Sequence, residues 1–337
     1  MAERNRRIVL ARRPRGVPDP SDFRLEETAR PTPGAGQMLV RNRVLAIDPA
    51  IRGFLDDRPS YMPPVALGEA IRGMALGEVV ESWLPGFTRG DIVRALATWE
   101  DYSLLDAQAI GLEKCDIADR GRLSLHMGTL GPSGLTAYVG LFAIGAIRPG
   151  ETVAVSAATG AVGNVAGQIA KLSGCRVVGI VGGEVKAALA RDLGFDAVVD
   201  YRAPGDLGAK LHAAAPEGVD VYFDNVGGEI LDAMLPRLKE GGRVVVCGMI
   251  ANYNNSDDQY PIRNLWQILV KRATMRGFLT YEHPEFLDEA TKRIGRWVRD
   301  GGLRPLENVA HGLEQAPYTF IRLMRGETTG KTVVCLD

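Results

Sequence analysis

"SAATGAVGNVAGQIAK", residues 156–171, decides how this chain folds. It has the spacing of a dinucleotide-binding turn, G-x-G-x-x-G, with Ala158 at the first glycine position, then Gly160 and Gly163. Its context strengthens the reading. "TVAVSA" before it is a short buried apolar run, and "AVGNVAGQIAKLSG" has helical spacing and ends at Gly174. In a strand–turn–helix unit, Gly160 lets the backbone approach a pyrophosphate and Gly163 lets the helix pack close to the strand. The helix dipole and free amides then favour phosphate. Ala158 is tolerable if its position does not need positive φ. The competing reading is a plain βα turn with small residues for packing.

The alternation continues outward from this unit. "RVVGIVG", "AVVDY", "VDVYFDNV" and "RVVVCGMI" read as buried strands, and "RATMRGFL" as a possible sixth. Between them, "EVKAALARDLG", "LGAKLHAAA" and "EILDAMLPRLKEGG" read as helices, the last carrying a proline. Apolar strands alternating with helices predict a parallel sheet covered on both faces, with its ligand at the carboxyl ends of the strands. Before this region, runs such as "QMLVRNRVLAI" and "GDIVRALATWEDYSLLD" between turn signals predict a mostly β domain. "GKTVVCLD" at the end of the sequence reads as a strand able to rejoin it.

Composition supports a globular protein of 337 residues with 46% hydrophobic and 24% charged residues. The formal net charge of −1 favours neither nucleic acid nor a membrane surface. The opening "MAERNRRIVLARRPRG" lacks an apolar stretch for a signal peptide, and its arginines read as a solvated strand edge. No stretch of about 18 apolar residues predicts a transmembrane helix. The four cysteines are scattered, without C-x-x-C, and read as free thiols of a reducing cytoplasm.

The end of the second strand selects the cofactor. NAD readers place Asp or Glu about 20 residues on, for the ribose 2′-hydroxyl. Counting 20 residues from Gly163 reaches Gly183, with no carboxylate at the tip. Glu184 follows, and then Lys186. A small uncharged tip with a nearby cation fits a 2′-phosphate. Tyr201, ending the third strand, is placed to stack or donate a hydrogen bond there. These residues predict NADP(H).

Zinc ligands are missing from the pattern. His126, His212, His283 and His311 are far apart and near no cysteine pair, and "ALGEAIRGMALGEVV" carries no histidine. No Tyr-x-x-x-Lys pair occurs either. Hydride transfer without a Lewis acid suits an activated C=C, whose enolate needs hydrogen-bond donors and a proton.

Together, "DPAIRG", "LGPSGLTAYVGL", "AATGAVGNVAGQIAK", "VDVYFDNVGGEILD", "CGMIANYN" and "GKTVV" resemble the zinc-independent medium-chain dehydrogenase/reductases. Within them, the chain is similar to the leukotriene B4 dehydrogenase/prostaglandin reductase group, which includes alkenal double-bond and curcumin reductases. The resemblance covers nearly the whole sequence. It implies a Rossmann NADP-binding domain at 126–301. It also implies a mostly β, GroES-like catalytic domain formed by 1–125 and 302–337. NADPH-dependent reduction of enals and enones in a cytoplasmic homodimer is the implied activity. Gly160, Ala161, Val162 and Gly163 then match the pyrophosphate loop, and Gly183, Lys186 and Tyr201 the 2′-phosphate site. Thr136, Asn225, the run Cys247, Gly248, Met249, Ile250 to Tyr253, and Phe278, Leu279 and Thr280 match cofactor contacts.

Tyr253 is the candidate for orienting or protonating the enolate, with water and the ribose hydroxyl as alternatives. Tyr61 is a candidate for the substrate mouth. Ala50 stands where the family often has an aromatic, which reshapes the pocket. In "GETTGK", Thr328 or Thr329 replaces a frequent Asn near the cofactor. Asp48 and Arg52 read as a structural charge pair. A quinone reductase on the same scaffold, or an NADP-binding protein without turnover, are the competing functions.

Overall fold

The computed structural model describes residues 4–58, 62–117, 119–254 and 259–336. Tyr61 lies outside them. The chain divides into two compact units, one of residues 1–127 with 307–337 and the other of 128–306.

The unit 128–306 carries a six-stranded sheet. Its strands are β1 (Thr152–Ser156), β2 (Arg176–Val181), β3 (Ala197–Asp200), β4 (Val219–Asp224), β5 (Leu238–Val246) and β6 (Thr274–Gly277). They lie in the order β3-β2-β1-β4-β5-β6, every pair parallel. The order reverses direction between β1 and β4, the switch point where a doubly wound sheet opens a crevice. Period-two alternation fills both faces. Val153, Val155, Val177, Val221 and Phe223 join one core with the helices Ala161–Leu172 and Pro284–Arg299. Ala154, Val178 and Tyr222 join the other, with Leu211, Ile230 and Leu231.

One predicted element is shorter than the sequence suggests. The helix that begins at Gly228 stops at Met234, a 3₁₀ turn follows over Leu235–Arg237, and Leu238 already opens β5. Pro236 lacks an amide and collides with the preceding turn, so the helix cannot run on through "LKEGG".

The stretch Arg120–Ile144 is, by length and composition alone, apolar enough to cross a membrane. It is broken into a kinked 3₁₀ segment, the helix Pro132–Val139 and a π-helical turn Gly140–Ile144, and 61% of its apolar window is buried.

The other unit is mostly β. The C-terminal strand Lys331–Cys335 pairs antiparallel with Gln37–Ala46 and parallel with Glu307–His311. Arg72–Ser82, Ile92–Thr98 and Glu113–Lys114 continue the sheet from Gln37–Ala46, and Tyr102–Asp106 pairs with Gln37–Ala46 as well. Arg4–Leu10 and Phe23–Ala29 form a separate antiparallel pair. The early arginines are ion-paired on its edge, Arg4 with Glu27, Arg6 with Asp101 and Arg7 with Glu26. Asp48 and Arg52 do not pair with each other. Buried Arg52 binds Asp56 at 2.6 Å, and Asp48 holds the buried ammonium of Lys331. A strand that arrives from the far end of the sequence is thus locked by a charge no local spacing could reveal.

Candidate functional site

The carboxyl ends of the six parallel strands gather most of the expected residues. After β1, the chain turns through Ala157–Gly160 into the helix Ala161–Leu172. No side chain caps this helix, so the first amides, those of Ala161, Val162 and Gly163, lack intrahelical partners and point out of its N-terminus. Ala158 does not adopt positive φ; the left-handed residue is Ala157, at φ 47°. Ala158 instead packs in the core. A Cβ on Gly163 would lie 2.3 Å from the Ala157 carbonyl oxygen, so the helix start sits against the turn as only glycine permits. Asn164 is buried and closes the turn, its Nδ2 donating to the carbonyls of Gly160 at 2.5 Å and Ala161 at 3.1 Å.

At the end of β2, Gly183 takes φ 94° and begins the helix Glu184–Asp192, again without a side-chain cap. Asp200 Oδ1 accepts from the amides of Gly183 at 2.8 Å and Arg202 at 2.9 Å, joining the ends of β2 and β3. The Gly183 amide, foremost, holds this carboxyl below its ordinary range. Glu184, the nearest acid after the tip, is engaged by Arg191 at 2.7 Å. Lys186 is half-buried. Burial lowers its pKa, and the nearby Arg202 guanidinium lowers it further. Tyr201 stands over the tip: a Cβ on Gly182 would lie 2.8 Å from its hydroxyl.

Asp224, at the end of β4, is fully buried and binds four neighbouring groups. Its Oδ1 accepts from Ser156 Oγ at 2.9 Å, Tyr222 OH at 2.8 Å and the amides of Val226 and Gly227 at 3.0 Å. Burial raises its pKa, and these donors oppose the rise. Asn225 is anchored next to it, Nδ2 donating to the Ser156 carbonyl at 2.7 Å and its amide to Ser156 Oγ at 2.8 Å. Ser156 and Asp224 therefore fix the two strand ends that flank the switch point.

After β5, the amides of Cys247 and Gly248 donate to the Asp224 carbonyl at 2.8 and 3.1 Å. The following turn, Ile250–Tyr253, brings Tyr253 back over its own loop, where the Met249 amide reaches its hydroxyl at 3.5 Å. Burial raises the Tyr253 phenol and pushes the Cys247 thiol up to about 12, so both stay protonated at neutral pH. After β6, Thr280 Oγ1 lies 2.8 Å from Thr136 Oγ1 on the helix Pro132–Val139. Phe278 packs towards Gly140, and Leu279 leads into the 3₁₀ turn Thr280–Glu282.

Ala50 and Thr328 belong to the other unit. Ala50 begins the short helical turn Ile51–Phe54, and Thr328 is buried before the last strand. Ser156, Ala157, Asp224 and Arg202 are additions to the sequence reading. Asp224 left a signal in "FDNVGG": an acid followed by two glycines, Gly227 and Gly228, which both adopt positive φ. Ala157 and Arg202 left none. Among the described residues, no group of three or more His, Cys, Asp or Glu is placed to hold a metal ion.

A unit with a doubly wound sheet and a bare glycine-rich turn at its switch point, in a chain that also carries a mostly β unit, has the architecture of the dinucleotide-binding dehydrogenases and reductases. Residues 6–112 match the family model described as the N-terminal domain of oxidoreductase, and 161–295 that described as zinc-binding dehydrogenase. The chain is 42% identical to the NADPH-dependent curcumin reductase of Escherichia coli, covering 98% of this chain and 97% of that one. It is 36% identical to a 2-alkenal reductase (NADP(+)-dependent) of Nicotiana tabacum, over 99% and 98%. Its fold superposes on CurA from Vibrio vulnificus in complex with NADPH with a TM-score of 0.91, at 38% identity over 98% and 99%. The chain belongs to the medium-chain dehydrogenase/reductases, in the zinc-independent family of alkenal, prostaglandin and curcumin reductases.

Proposed function

We propose that this chain is an NADP-dependent oxidoreductase that reduces the C=C bond of α,β-unsaturated aldehydes and ketones, hydride going to the β-carbon. The observation that carries the cofactor is the pair of uncapped helix starts at Gly160 and Gly183, the second flanked by Lys186 and Tyr201 with no free acid at its tip. A Cβ at Gly182 would crowd the Tyr201 hydroxyl at 2.8 Å, so the tip stays bare. Bound NADPH supplies the hydride.

The chain's own groups bind, orient and donate. The amides of Ala161, Val162 and Gly163 receive the pyrophosphate, and Lys186 and Tyr201 the 2′-phosphate. Asn225, Thr136, Thr280 and the Cys247–Ile250 run line the nicotinamide end in this reading, with Phe278 and Leu279 offering backbone. Tyr253 keeps its proton and donates a hydrogen bond or the proton itself to the enolate. Tyr61 and Ala50 shape the substrate mouth, and Thr328 stands in for the family's Asn.

The working form in this proposal is a cytoplasmic homodimer. The end strand of the sheet, Thr274–Gly277, is exposed along its length, next to Trp266 and Leu269, which is 80% exposed. An open strand edge with apolar neighbours favours pairing with another copy.

NADPH oxidation measured with a panel of enals, enones and quinones tests the activity. Turnover with enals and enones is expected. Turnover with quinones alone would replace the proposal with a quinone reductase, and tight NADPH binding without any turnover would leave a binding protein.

A further inference from the structure

We infer that Arg202 is a second phosphate-reading cation, setting with Lys186 and Tyr201 the preference for a 2′-phosphorylated dinucleotide over its unphosphorylated form. The inference rests on the NADP reading above. It stands on the way two side chains, those of Tyr201 and Arg202, converge on one bare α-carbon, that of Gly182. A Cβ on Gly182 would lie 2.8 Å from the Tyr201 hydroxyl and 3.0 Å from Arg202 Nε. The guanidinium carbon of Arg202 is 5.7 Å from the centre of the Tyr201 ring, within reach of a cation–π contact. The backbone amide of Arg202 is fixed by Asp200 Oδ1, the same oxygen that holds the Gly183 amide. The loop after β3 is therefore tied to the tip of β2, and Arg202 cannot drift from it without breaking that link.

Charge points the same way. Lys186 and Arg202 lie close enough for one to disfavour the charge of the other. Two like charges at one glycine tip repel, and an anion between them relieves the repulsion. Among the described residues, the two acids nearest in sequence are engaged elsewhere. Glu184 is bound by Arg191, and Asp200 spends Oδ1 on two backbone amides, with Lys210 nearby. A planar guanidinium offers two parallel N–H donors to phosphate oxygens, where the Lys186 ammonium offers a point charge. Lys186 alone would attract an anion; Arg202 adds the geometry that suits a phosphate monoester.

The test is calorimetric binding of 2′,5′-ADP and 5′-AMP to the full-length protein and to Arg202→Ala, Arg202→Lys and Lys186→Ala. Arg202→Ala should weaken 2′,5′-ADP about tenfold and leave 5′-AMP within about twofold, with Arg202→Lys between. Arg202 is exposed, so melting temperatures should not move. If Arg202→Ala affects both ligands alike, or neither, while Lys186→Ala selectively weakens 2′,5′-ADP, the role of Arg202 is overturned and the NADP reading stands. If the unaltered protein binds both ligands equally, the NADP reading itself fails.

Discussion

The carbonyl oxygen of Ala157 lies 2.3 Å from where a Cβ on Gly163 would sit, whereas a Cβ on Gly160 would meet the same oxygen at 3.1 Å. Gly160 also has an ordinary φ of −77°. The two glycines of one fingerprint therefore have different jobs. Gly163→Ala should lower stability by about 1–3 kcal/mol, seen in urea unfolding. Gly160→Ala should cost less stability but raise the Michaelis constant for NADPH. Equal losses of stability would refute the division.

Lys186→Ala should raise the Michaelis constant for NADPH about tenfold or more and leave that for NADH nearly unchanged. Parallel kinetics with the two cofactors check this. An equal effect on both would remove Lys186 from the 2′-phosphate site.

Tyr253→Phe should reduce turnover with little change in NADPH affinity. The pH profile carries a sign. Burial raises the Tyr253 pKa above its ordinary value of 10, so the donor form is retained as pH rises through 7 to 9 and is lost only above that raised pKa. The tyrosine-dependent part of the rate should stay flat across pH 7–9. A limb near pH 8 present in the parent and absent in Tyr253→Phe would contradict a buried, protonated phenol.

Asp224→Ala should be among the most damaging single changes in the unit. It leaves the hydroxyls of Ser156 and Tyr222 and the amides of Val226 and Gly227 without their shared acceptor. Each buried donor left without an acceptor costs about 1–3 kcal/mol. Chemical denaturation measures it. A loss below about 1 kcal/mol would mean the strand ends are held by other means.

Trp266→Glu combined with Leu269→Glu should convert the proposed dimer to a monomer in light scattering. A dimer that survives both charges pairs through another surface.

Much of the nucleotide-binding unit was legible because its signals are local. Apolar strand runs, the Gly160–Gly163 turn and the acid-free tip at Gly183 each sit within a few residues of the element they specify. What the sequence did not show depends on side-chain partners or on backbone angles. The left-handed residue is Ala157, one position before the alanine that breaks the glycine pattern. Position alone cannot show which of two adjacent alanines bears the twist. Arg52 chose Asp56 and Asp48 chose Lys331, nearly the whole sequence away. Pro236 did warn that its helix would end early, and that signal is local.

The strand Lys331–Cys335 lies inside the mixed sheet, between Gln37–Ala46 and Glu307–His311. During synthesis this imposes an order. The first 127 residues are made early but lack an inner strand of their sheet until Lys331–Cys335 has been made. Residues 128–306 form a continuous segment, complete while the earlier segment still waits. The nucleotide-binding unit should thus fold first, though it is made second, while the early segment stays open with unpaired strand edges in the interval.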